Sequence, residues 1–137
     1  MKNIAISLAL VLLLGACSSG TSVSEVPPTD ISGVYNGEFQ SSNGFGDGNV
    51  TMNIQDNFGA LAGNLILEFN LTDPSCIVNT VFDESSARTG FNVQINTSQI
   101  NFTLTASADG RDLTGTYVPI GDGCSNASGA GTISLSR

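Results

Sequence analysis

At 137 residues, of which 40% are hydrophobic, the chain is long enough for one modest domain with its own core. Four basic side chains face 12 carboxylates, for a formal charge of −8, and histidine is absent. This balance excludes a nucleic-acid partner, which needs basic side chains for its phosphates, and it removes Ser-His and Cys-His nucleophile pairs.

The first residues carry a single positive charge, Lys2, then an apolar run from Ile4 to Leu14 interrupted only by Ser7, then Gly15 and Ala16. This is the pattern of a secretory signal peptide. The run is about half of the roughly 20 apolar residues that a spanning helix requires. Leu14-Gly15-Ala16-Cys17 resembles the lipobox of bacterial lipoproteins. That resemblance implies cleavage before Cys17, lipidation of its thiol (palmitate among the acyl chains) and a stable membrane anchor, since two or more chains exceed the marginal hold of one. By the same resemblance, Ser18, standing where an Asp would in Gram-negative lipoproteins suggest inner-membrane retention, implies the outer membrane. The expected organisation is a signal peptide over 1–16, a lipidated Cys17 with a flexible tether over 17–30, and a β domain over 31–137. An ordinary secreted protein is the alternative.

Without the leader, 3 arginines face 12 carboxylates, a net charge of −9, with no lysine. The tether, SSGTSVSEVPPTD, is small and polar and is stiffened by Pro27-Pro28. Strict alternation then begins: Ile31, Gly33, Tyr35, Gly37 and Phe39 share one face, and polar residues the other, the period of a half-buried strand. After a Gly-rich connection from Ser41 to Gly48, Val50, Met52 and Ile54 mark a second strand. Asp56-Asn57-Phe58-Gly59 makes a tight turn, and Leu61, Gly63, Leu65, Leu67 and Phe69 mark a third strand.

Thr72-Asp73-Pro74-Ser75 breaks the pattern. A fourth strand is predicted from Cys76 to Phe82, followed by a loop from Asp83 to Gly90. Phe91, Val93 and Ile95 give a fifth strand, and a turn at Thr97-Ser98 leads to a sixth through Ile100, Phe102, Leu104 and Ala106. Asp109-Gly110 signals a hairpin. Leu113, Gly115 and Tyr117 give a seventh strand, Pro119 to Gly129 a loop, and Ile133 and Leu135 an eighth. The hairpins beginning at Val50 and Phe102 align without a gap at a spacing of 52, each ending in Leu-x-Gly; shared hairpin geometry accounts for this without duplication.

With Cys17 assigned to lipid by the lipoprotein resemblance, Cys76 and Cys124 remain, and an oxidising compartment makes them a disulfide pair. Eight strands with tight turns predict an all-β fold, an antiparallel up-and-down barrel, with a two-sheet β-sandwich as the alternative. Successive reversals put the connections after the third and seventh strands, which hold these cysteines, at one end, where a disulfide would strap the mouth away from the tether. The absence of Trp argues against an immunoglobulin-type sandwich, and the absence of lysine fits a sheet without open edges.

The hairpin Phe102 to Tyr117 is similar to one in the avidin and streptavidin barrels, and Gly33-Val34-Tyr35 resembles the Gly-x-Trp start of many calycins. Both imply a small calycin-like barrel. The tryptophans that wall a biotin site have no counterpart, so biotin binding is not implied.

Asp83 with Glu84, and Asp109 with Asp112, are the carboxylate pairs available for acid-base work, and turn positions explain them better. Asp47-Gly48-Asn49 with Asp122 is a calcium candidate that lacks the oxygen-rich loop pattern. Eight bulky residues, Tyr35, Phe39, Met52, Leu65, Phe69, Phe91, Phe102 and Tyr117, are expected to point inward, and an eight-stranded barrel is just wide enough for its own side chains or one small ligand.

The expectation is a non-enzymatic binding module held at the cell envelope by its lipid anchor, with no cofactor and no metal, meeting a partner protein through its far-end loops. Two other readings stand beside it. One is a carrier of a small apolar ligand among Tyr35, Phe39, Phe102 and Tyr117; the other is an acidic inhibitor of a basic enzyme such as lysozyme.

Overall fold

The computed structural model describes residues 25–42, 47–70, 77–120 and 129–137, apart from the Glu84 side chain. The leader, Cys17, Cys76, Asp122 and Cys124 lie outside the described residues. Eight antiparallel strands, β1 (Gly33–Ser41), β2 (Gly48–Asn57), β3 (Ala60–Phe69), β4 (Ile77–Thr89), β5 (Asn92–Asn96), β6 (Ile100–Ala106), β7 (Asp112–Pro119) and β8 (Gly131–Ser136), follow one another in space as in sequence. The sheet closes into a barrel where β8 pairs with β1, Leu135 opposite Gly37 and Ile133 opposite Phe39. This is the up-and-down barrel rather than the sandwich.

Apolar residues at every second position drive closure, because burying one face of each strand leaves all eight facing a common interior. Tyr35, Met52, Leu65, Val93, Ile95 and Leu113 have no measurable exposure. The outer face carries Asn36, Thr51, Gln94, Thr103, Thr114 and Ser134, with exposed Val34, Val81 and Val118 among them.

Where inner positions are glycine, the sheet coils so tightly that a neighbouring strand takes the space. A Cβ at Gly63 would lie 1.9 Å from the Asn53 carbonyl oxygen, and one at Gly37 equally close to that of Ser134. These positions are bends in the wall and leave no room there for a guest.

Three expectations are corrected. The predicted loop from Asp83 to Gly90 is strand: β4 continues to Thr89, with an irregularity where Leu61 and Gly63 face Ser86 and Phe82. Its inner positions include polar Thr80 and Ser86, both buried, so the apolar period fades while the strand persists. Phe91 does not point inward; it lies in the β4–β5 turn, half-buried, where its carbonyl accepts the Ala106 N–H at 2.8 Å. The predicted tether is docked from Pro28 onward, with Pro28 buried and its carbonyl held by Arg88 at 2.8 Å.

One end, here called the base, gathers the β2–β3, β4–β5 and β6–β7 turns, the entering chain and the C-terminus. The Arg88 N–H donates to the Gly59 carbonyl at 2.7 Å, and the Arg137 N–H to the Arg111 carbonyl at 3.0 Å. Ile31, fully buried, plugs this end. The Tyr35 hydroxyl sits 3.0 Å from the Ile31 carbonyl oxygen and 2.6 Å from that of Gly110.

Candidate functional site

The four residues considered for a ligand, Tyr35, Phe39, Phe102 and Tyr117, all lie inside the barrel, none more than 2% exposed. Tyr35 is held at the base by the Ile31 and Gly110 carbonyls, and the other three are linked by ring contacts. Phe39 meets Phe69 edge-on at 4.9 Å and Tyr117 edge-on at 5.6 Å, and Phe102 tilts against Tyr117 at 6.4 Å. These are the preferred geometries of packed aromatic pairs, and they fill the upper barrel with its own side chains.

The carboxylate pairs are turn and strand residues. The Ser107 hydroxyl donates to Asp109 Oδ1 at 2.7 Å, and the Arg111 N–H does so at 3.1 Å. These bonds, the Ser107 one foremost, hold the Asp109 carboxyl below its ordinary range, so it is a poor proton donor. Asp83 stands on the outer face of β4. Asp47, from the calcium candidate, spends Oδ1 on the Ser41 N–H at 3.2 Å, while its carbonyl accepts the Asn70 N–H at 2.8 Å. It ties the β1–β2 and β3 ends together. Among the described residues no group of three or more Cys, Asp or Glu is arranged to hold a metal.

The outer surface near the other end offers more. Strand register places Glu38 opposite Asn49, and Asn49 opposite Glu68, all exposed. At the usual strand spacing the two carboxylates are thus about 10 Å apart across one strand. Two grooves meet at Glu38 and Gln40. One, of about 410 Å³, runs over β7, β8 and β1 past Thr114, Thr132 and Ser134. The other, of about 240 Å³, lies toward the end opposite the base between Asp47, Asn49 and Asn70.

The basic side chains are confined to one end, where Asp30, Asp56, Asp109 and Asp112 also stand. Arg88, Arg111 and Arg137, all the basic residues after the leader, stand at the base. There Arg88 is paired with Asp56 at 2.7 Å, Arg111 lies 3.9 Å from Asp109, and Arg137 reaches the Ser32 carbonyl. Glu38, Asp47 and Glu68 have no basic neighbour at their own end. The chain order hides this row, since Glu38 and Glu68 lie thirty positions apart in sequence and meet only through the β1–β2–β3 registers.

No protein-family model matches the chain, and no curated protein or solved structure matches it either.

Proposed function

We propose that this protein is a non-enzymatic binding module, anchored at the bacterial envelope through lipidated Cys17, which presents an acidic outer face to a basic protein partner. The observation that carries this reading is the row Glu38-Asn49-Glu68, bordered by Asp47 and flanked by two grooves, on an end of the barrel without a cation. Unopposed carboxylates on a rigid wall steer a cationic partner and fix its register. The filled interior favours this over a carrier of apolar ligands, because packed rings leave the outer surface as the place to bind.

The anchor reading rests on Leu14-Gly15-Ala16-Cys17. The tether enters the barrel at the base, the end opposite the acidic row.

Binding of the mature protein to a panel of small basic proteins, hen lysozyme included, tests the reading by calorimetry at low and high salt. Expected is a complex whose affinity falls steeply with salt and falls further in Glu38→Gln/Glu68→Gln. Equal affinity in that variant, or no basic binding partner at low salt, would overturn it. Loss of membrane fractionation and of palmitate label in Cys17→Ala tests the anchor separately.

A further inference from the structure

Phe58 stands out among the described residues on two independent counts. It is the only residue other than glycine with positive φ, at 55°, and its side chain is fully exposed, at 107% of the reference value. With Gly59 at φ 98°, it forms the two-residue turn between Asn57 and Ala60, whose backbones pair. Positive φ at both centres is the tight hairpin turn that ordinarily takes Asn or Asp at the first position. A bulky aromatic there is conformationally costly and, fully in water, gains nothing from packing. Strain and an unburied ring together point to a contact outside the barrel.

Location narrows the occupant. The turn belongs to the base: Gly59 accepts from the Arg88 N–H, and the Arg88 side chain grips the carbonyls of Pro28 and Thr29 in the entering chain. The described chain starts at Glu25, eight residues from Cys17, a reach of about 28 Å at full extension. Val26, on that approach, is 75% exposed. The base holds every arginine beside Asp30, Asp56, Asp109 and Asp112, whereas the charged groups described at the opposite end, Glu38, Asp47 and Glu68, are all carboxylates, so an anionic surface repels the far end more strongly than the base.

We infer that Phe58 is a membrane-contact residue: its ring inserts into the interfacial region of the bilayer that anchors Cys17 and fixes the barrel base-down, with the acidic row outward. This rests on the anchor reading, and it adds an orientation that a lipid anchor alone does not impose. Burying an exposed aromatic at the interface is favourable.

The chain has no Trp, so a single Trp reports one site. Ala60→Trp, at an exposed position beside the turn, would be made in the full-length protein, purified from membranes and reconstituted in phosphatidylethanolamine/phosphatidylglycerol vesicles with brominated acyl chains. Val118→Trp on the outer face of β7 serves as the distant reporter, and Asn57→Trp replaces Ala60→Trp should the latter melt early. Expected are blue-shifted, bromine-quenched emission at position 60, none at 118, and loss of that quenching when Phe58→Asn is added. Phe58→Asn should at the same time raise Tm, because Asn suits the turn.

Equal emission at position 60 with and without Phe58 would overturn the inference and leave the anchor standing. The mass of the N-terminal peptide reads Cys17 independently. If Cys17 is unmodified, the anchor reading falls, and the same quenching measured on protein mixed with vesicles still decides: present and Phe58-dependent, the contact stands; absent, it is overturned.

Discussion

The Arg88 guanidinium and the Asp56 carboxylate meet at 2.7 Å with side-chain exposures of 10% and 1%, and between them they tie the entering chain to two hairpins. Arg88 also donates to the carbonyls of Pro28, Thr29 and Gly90. Asp56 accepts from the Gly59 N–H at 2.7 Å and the Ile31 N–H at 3.3 Å. A planar fork of donors matches several fixed acceptors at once, which an ammonium cannot.

Removing one partner therefore leaves a buried charge without its counterion. Arg88→Ala should lower unfolding free energy by about 3–5 kcal/mol, read from the urea midpoint at unchanged slope. Arg88→Lys should recover only part of the loss, since a single ammonium cannot reach all the carbonyls. Release of the segment around Pro28, seen as new proteolytic cleavage there, should accompany both.

Tyr35 offers a pH test. Burial raises its pKa above the ordinary value near 10, because the phenolate loses water while the neutral hydroxyl keeps the Gly110 and Ile31 carbonyls. A group whose folded pKa is raised contributes stability that is fully present below the unfolded pKa and is lost as pH rises toward the folded one. Melting temperature should hold up to about pH 10 and then fall. Tyr35→Phe should melt lower at neutral pH, by about 1–3 kcal/mol for the carbonyls left unpaired, and show a shallower alkaline decline.

Much of the barrel was legible because β1, β2, β3, β6, β7 and β8 keep apolar residues at every second inner position. β4 was read short because Thr80 and Ser86 interrupt that sequence of apolar residues. Ser86 faces inward for a reason that only the partner strand supplies: its Oγ accepts the Asn96 N–H at 2.9 Å, ending the β5 ladder. Phe91 was misplaced because its residue type suits a core and its backbone is a turn.

The two similar hairpins differ in register as well. Ile54 pairs with Gly63, whereas Ala106, its counterpart, pairs with Leu113 and not with Gly115. The same spacing accommodates a two-residue turn in one and a longer connection in the other. The Glu38-Glu68 row and the three basal arginines depend on such registers and on closure, so neither shows in a local pattern.

Cys76 and Cys124 supply a prediction independent of the described residues. A disulfide between them closes a loop of about 49 residues, which in the chain-entropy model contributes roughly 4 kcal/mol. Thiol titration of the unfolded oxidised protein should find neither free, and reduction or Cys76→Ser/Cys124→Ser should lower Tm by comparable amounts. Free thiols in protein purified without reductant would refute the pairing.

The packed interior bears most directly on function. Phe39 touches Phe69 and Tyr117 at a site sealed by Gly48, whose Cβ would lie 2.7 Å from the Phe39 ring and 2.1 Å from the Glu68 carbonyl oxygen. Phe39→Ala should cost about 3–5 kcal/mol, because the rigid wall cannot collapse around the missing ring. The resulting apolar cavity should stay dry and bind benzene or xenon, which the wild-type protein should not. A wild-type barrel that takes up such probes with comparable affinity would mean that these side chains move aside for a guest, and would restore the carrier reading over a surface-binding module.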